Sequence, residues 1–412
     1  MANDGFDPGG RSTVQRVLDE QPTAGATRAR AVAAGLGQLQ LLVVVLSALL
    51  PLRPTVSGIP FSTVAAAFLV LLALSRPPVA AAVRPQLLTG ALVAVVLWLV
   101  ASSAVFSGLE VRRTGNLLIL LGLAWVLGQG RLHVPSVVAG LTLGLGVGIV
   151  HAVLTRDTSG YEGRITGYLG DPNGAGFVIV TIGCVLLAAR SERGQRLWPL
   201  WLVLFGTVVL TVSRTSLFAL AAATAWALLA PRLSRIATLV ALAVAWPVYQ
   251  LLVGLARDGG FFAERAGSDH LRQRLALVEQ MMVRDAGWTG MGLGSAHAEV
   301  DGAPLWFHNS YRALQVEGGI PAAAILLVAL AALVWGLHRV PREARNGWYE
   351  GAILAGLVCS LNIGFSLTSV SMAVAIGLYV HHWRTHVPPP PEPVGVHDAL
   401  IAAHRASVRE GT

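Results

Sequence analysis

Four stretches of the chain hold side chains that could do chemistry. The first is Arg164-Ile-Thr-Gly-Tyr-Leu-Gly-Asp-Pro-Asn173, where Asp171 and Pro172 read as an N-cap followed by proline at the first helical position. A helix start presents free N–H groups and a partial positive charge, so it favours phosphate, and Arg164 is close enough in sequence to add a guanidinium. The second is Thr211-Val-Ser-Arg214-Thr-Ser216, a turn between two apolar runs so tight that Arg214 must sit at or just within a membrane surface. A charge at that depth is costly and marks function by default. The third is the run 268–284, in which Leu271, Leu275, Val278 and Met282 fall on one helical face. Asp269 is the expected N-cap there, Gly287 the expected stop, and Arg274 flanks the apolar stripe. The fourth is Trp306-Phe-His308-Asn309-Ser-Tyr311-Arg312, followed by Gln315 and Glu317. Read as a helix, it aligns His308, Arg312 and Gln315 on one face.

These residue types favour some reactions over others. There is no Walker-type glycine loop for nucleotide phosphates and no His/Cys cluster at metal-ligand spacing. The loop 51–60 contains Arg53 but no carboxylate, the group a metal-dependent membrane glycosyltransferase generally needs there. Arginine, not metal, is what the chain offers a phosphate. A guanidinium grips phosphate oxygens bidentately and keeps its charge, which suits a pyrophosphate leaving group. Histidine, with an ordinary pKa near 6.5, suits a base working near neutral pH. No cofactor is expected.

The elements that position these groups follow from composition. Of 412 residues, 54% are hydrophobic and 13% charged, and the mean hydropathy is +0.63. That excludes a soluble enzyme, a secreted disulfide scaffold and a nucleic-acid binder. The expected fold class is all-α: a polytopic membrane protein of about twelve transmembrane helices, since a bilayer takes roughly 20 apolar residues to cross. The spans fall near 34–51, 59–74, 86–105, 115–128, 134–154, 174–189, 197–212, 215–230, 234–254, 319–337, 350–367 and 369–384. Residues 1–33 form a cytosolic N-terminal tail, 255–318 a large external loop, and 385–412 a proline-rich cytosolic tail. All 30 basic residues are arginine. With both termini inside, the inner segments hold eighteen of them and the short outer loops six, the bias expected of cytoplasmic loops. This orientation puts all four chemical stretches on the outer side. Cys184 and Cys359 sit in apolar runs and do not read as a pair.

In their order and spacing, the second-half motifs resemble the O-antigen ligase and polysaccharide polymerase superfamily of bacterial membrane glycosyltransferases. The resemblance rests on Arg164 with Pro172-Asn173, on Ser213-Arg214, and on Arg274-Leu followed by Gly290-Met-Gly292-Leu-Gly294. It also rests on His308-Asn309-Ser310-Tyr311 with Gly318-Gly319. It covers about 160–335; the first 150 residues match only as hydrophobic spans. It implies a GT-C-like, metal-independent, inverting transferase at the outer face of a bacterial cytoplasmic membrane. Such an enzyme moves a glycan from a polyprenyl-pyrophosphate carrier to a hydroxyl on a glycan, lipid or cell-wall acceptor. By motif position Arg214 and Arg274 bind the pyrophosphate and Arg164 assists. His308 serves the acceptor, and Asn173, Asn309, Tyr311 and Arg312 complete the substrate site. The alternative is a transporter or flippase of lipid-linked glycans or other anions. A transporter should carry charges at mid-membrane, whereas these spans are nearly free of them.

Overall fold

The computed structural model describes residues 24–79, 86–106, 110–156, 163–234, 266–300, 303–337 and 344–387, with a few single positions between. The described helices are α1 (Ala24–Leu49), α2 (Phe61–Leu74), α3 (Gln86–Phe106), α4 (Val111–Gly128), α5 (Val134–Leu154) and α6 (Pro172–Glu192). They continue with α7 (Trp198–Thr211), α8 (Arg214–Leu229), α9 (Ala266–Asp285), α10 (Ser310–Leu337), α11 (Gly347–Cys359) and α12 (Val370–His386). Two antiparallel hairpins interrupt the helical order, β1 (Thr55–Val56) with β2 (Ile59–Pro60) and β3 (His297–Val300) with β4 (Ala303–Trp306).

Five helices, α3, α4, α5, α6 and the Ser310–Leu333 part of α10, are long and apolar enough to cross a membrane. Four shorter apolar helices accompany them: Gly37–Leu49 within α1, then α2, α7 and α8. The protein is thus a mainly helical bundle of membrane character. Helix α6 is its centre: 94% of its most apolar stretch is buried, against 33–44% for the other four long helices. A helix apolar on every side belongs in such an interior. Around it α11 packs on both α6 and α8, α1 on α5, α3 on α10, and α4 on α12. The α1–α5 contact is a small-residue seam: a Cβ on Gly140 or Gly144 would collide with the α1 backbone at Val44 and Ala48. Close backbone approach is how apolar helices gain dispersion energy where no hydrophobic drive separates them from lipid.

Several expected boundaries move. The span placed at 234–254 lies almost wholly outside the described residues. The one placed at 350–367 stops at Cys359, and 360–369 forms an irregular connection rich in Ser, Thr, Asn and Gly. Past Cys359 the carbonyls of Ser360, Leu361 and Ile363 accept from Ser310 N–H, Asn309 Nδ2 and Ser310 Oγ instead of continuing the helix. Conversely, α10 starts at Ser310, before the expected 319, and bends at Gly319 (φ 64°, ψ −161°), just ahead of Pro321. Helix α9 begins at Ala266, so Asp269 lies inside it and is not its cap. Gly287 (φ 62°) does stop it, in the left-handed conformation that glycine adopts without strain.

Candidate functional site

The ends of α1, α5, α7 and α11 meet the starts of α4, α6, α8, α10 and α12 at one end of the bundle, together with α9 and the β3–β4 hairpin. The four chemical stretches all lie there, in two groups.

The first group surrounds the start of α6. Asp171 caps that helix, accepting from the backbone N–H of Asn173 and Gly174 at 3.1 Å each, with Pro172 at the first position. Arg164 is fixed at a neighbouring helix terminus: its Nε donates to the Thr211 carbonyl at 2.9 Å, among the last acceptors of α7. Its Nη2 lies 3.5 Å from Asn173 Oδ1, so these two expected site residues are neighbours. Arg214 opens α8 in the same turn. Val212 adopts φ 50°, a left-handed conformation that a β-branched residue takes only under strain. The turn therefore reverses at once, and Ser213 caps α8 by accepting from Ser216 N–H at 3.4 Å. Hydroxyls of Thr211, Ser213 and Ser216 brace it from within.

Arg53 of the 51–60 loop also belongs to this group, although it is not among the expected site residues. Its guanidinium lies 4.1 Å from the centre of the Phe365 ring and beside Asp171. Burial lowers its pKa to about 10, partly offset by the Asp171 carboxylate, so it stays charged at neutral pH. A sequence in which Arg53 lies more than a hundred residues from both partners carries no signal of this contact.

The second group surrounds the start of α10. His308 is not on a helix: it precedes the N-cap Asn309, whose Oδ1 accepts from Tyr311 and Arg312 N–H at 3.0 and 3.1 Å. The expected alignment of His308 with Arg312 and Gln315 therefore gives way to a capped turn that projects His308 from a loop. Asn309 Nδ2 donates to the Leu361 carbonyl at 3.1 Å, Tyr311 OH to the Leu357 carbonyl at 2.9 Å, and Ser310 Oγ to the Ile363 carbonyl at 2.5 Å. Gly364 packs so tightly on the Phe307 carbonyl that no side chain fits between them. The irregular 360–369 segment is thus the seat of the His308 loop. Through Phe365 it also touches Arg53, and so joins the two groups.

Glu279 on α9, only 2% exposed, completes the second group. Its Oε1 accepts from His308 N–H at 2.6 Å and its Oε2 pairs with Arg312 Nη1 at 3.0 Å. With Leu271 at 0° and about 100° per residue, the buried face centres near about 60°, on Leu275, Glu279 and Ala286. Arg274, at about 300°, is therefore exposed. The signal that could have found Glu279 was an acid beside an otherwise apolar stripe.

A cavity of about 140 Å³ opens below this end, between α3, α4, α10 and α12. Leu92, Leu99, Leu117, Leu121 and Leu330 line its length, and Arg113, Glu317 and Ser310 stand at its upper end. Arg113 pairs with Glu317 at 2.6 Å, and Glu317 also accepts from Gly294 N–H at 3.1 Å. From Arg113 to Ala124 the cavity follows α4 for about 16 Å, roughly half the thickness of a hydrocarbon core. Comparison with family models, with curated proteins and with solved structures returned no match.

Proposed function

We propose that the chain is a membrane glycosyltransferase, a ligase or polymerase of GT-C-like fold with about twelve spans. It moves a glycan from a polyprenyl-pyrophosphate carrier to an acceptor hydroxyl, at the outer face of a bacterial cytoplasmic membrane and without metal. The observation that carries this reading is the stacking of three features at one end of the bundle. An arginine-bearing helix start and a loop histidine both lie there, linked through Arg53 and the Phe365 segment, and an apolar cavity runs from the start of α10 into the bundle.

Each feature suits one part of a lipid-linked glycan. The cavity takes an apolar chain. Arg164, Arg214 and Arg274 bind the pyrophosphate and stabilise the charge that develops as the bond to the anomeric carbon breaks. His308 accepts the proton of the attacking hydroxyl, which grows more acidic as the new glycosidic bond forms. Asn173 holds Arg164 in place. Asn309, Tyr311 and Arg312 direct polar groups to backbone and carboxylate partners, so their part is to hold His308. The arginine distribution along the chain supports the outward orientation.

Purified protein incubated with a polyprenyl-pyrophosphate oligosaccharide and a glycan or lipid acceptor should release polyprenyl pyrophosphate and glycosylate the acceptor, with or without a strong chelator. Movement of the intact lipid across the bilayer with no cleavage would support transport instead. Loss on chelation with rescue by a divalent ion would contradict the metal-independent mechanism.

A further inference from the structure

We propose that Glu279 is the positioning residue of this site, a role that rests on the transferase reading. Its two carboxylate oxygens fix the spacing between the helix that carries Arg274 and the loop that carries His308. Oε1 holds the His308 amide at 2.6 Å and Oε2 holds Arg312 at 3.0 Å. Arg312 also donates to the Ala276 carbonyl at 3.2 Å, so α9 is joined once to the loop and twice to the first turn of α10. Arg274 lies five residues before Glu279, about 7 Å along the same helix axis.

The chemistry of the position argues that geometry, rather than apolar packing, is what the acid supplies. Glu279 stands among Leu275, Met282 and Ala286, a stripe that closes the small core under the hairpin with Val316 and Phe307. Leucine there would extend the apolar contact. A buried carboxylate instead costs desolvation, which its ion pair only roughly repays. What the carboxylate adds is direction: one planar group bonded at once to a loop N–H and to a guanidinium of the next helix. No apolar side chain fixes the loop that way. In a transfer reaction the leaving group and the attacking hydroxyl must be held in one alignment, and a misplacement of about 1 Å can cost 10²-fold in rate.

The test compares Glu279→Leu and Glu279→Gln with the wild type by thermal unfolding, donor binding, turnover and the distance between spin labels at Leu277 and Glu299. Both label positions are exposed, one on α9 and one on the hairpin. Glu279→Leu leaves the His308 N–H and the Arg312 guanidinium without their acceptor, so its unfolding midpoint should fall, while the folded molecule should bind donor within about 3-fold of wild type. It should lose about 10²-fold in turnover, and the label distance should broaden. Glu279→Gln, which keeps an acceptor for the His308 amide, should recover part of that loss. Wild-type turnover and an unchanged label distance in Glu279→Leu would overturn the proposal. So would losses of turnover that merely follow the folded fraction, which describe a staple. If the wild type transfers no glycan but the label distance still broadens in Glu279→Leu, the transferase reading fails and the positioning role stands.

Discussion

The two ends of the bundle use the same ion-pair chemistry for different purposes. At the end opposite the candidate site, Arg345 grips Glu350 through two bonds of 3.0 and 2.8 Å, and Trp226 donates to the same carboxylate at 2.8 Å. Beside it Glu192 of α6 accepts from Tyr349 of α11 at 3.3 Å and pairs with His382 of α12 at 2.7 Å. Arg384 of α12 donates to the Gly128 carbonyl at the end of α4. Most of these bonds join side chains of neighbouring helices or tie off a helix terminus. At the site end two carboxylates instead hold loops: Glu279 the His308 amide and Glu317 the Gly294 amide. The first arrangement closes the bundle. The second fixes irregular backbone in one shape, which is what a site needs if its groups are to be aligned before a substrate arrives.

This contrast predicts that damage at the two ends separates into stability and rate. His308→Ala should reduce transfer by about 10²–10⁴-fold, the usual worth of a general base, while donor binding and thermal unfolding stay near wild type. Wild-type transfer between about pH 6 and pH 9 would make the histidine structural and erase the contrast. Arg345→Ala should do the reverse. It leaves the Glu350 carboxylate buried without its cation, a loss of about 3–5 kcal/mol, read as a lower unfolding midpoint with normal turnover per folded molecule. A smaller effect is expected at the arginines. Arg214→Lys and Arg274→Lys keep charge but lose the planar fork. Forfeiting one charge-assisted bond of about 1.5–3 kcal/mol corresponds to about 10- to 150-fold in rate. Near-normal turnover of both would reduce them to surface anchors. The smallest is Asn309→Ala, which removes the α10 cap for about 1 kcal/mol. It sharpens the comparison if turnover falls further than stability does.

The legible part of this protein was its local physics. Apolar runs announced helices, and Asp171-Pro172 announced a helix start, because both depend on near neighbours in the chain. The illegible part was long-range. Ser360–Ser369 looked like the tail of one span and the head of the next, and only contact with Phe307 and Ser310 makes it the floor of a loop. His308 was read onto a helix because Asn309, the residue that starts that helix, is also an acceptable helix interior residue. Arg53 and Glu279 meet partners far away in sequence, so their types were visible and their roles were not. Arg274 was placed beside the stripe from four leucine, valine and methionine positions. Burial of Glu279 rotates the helix and leaves Arg274 outside.

If one outward-facing end of the bundle holds the chemistry and the opposite end closes it, the two ends should differ in cysteine accessibility in intact cells. Both native cysteines are buried, so single cysteines replacing Ala303, in the hairpin, and Ala344, beside His382, report on one end each. An impermeant thiol reagent should label the first from outside and not the second, and added polyprenyl pyrophosphate should slow labelling of the first. Labelling at Ala344 with protection at Ala303 would turn the molecule over and contradict the proposed site.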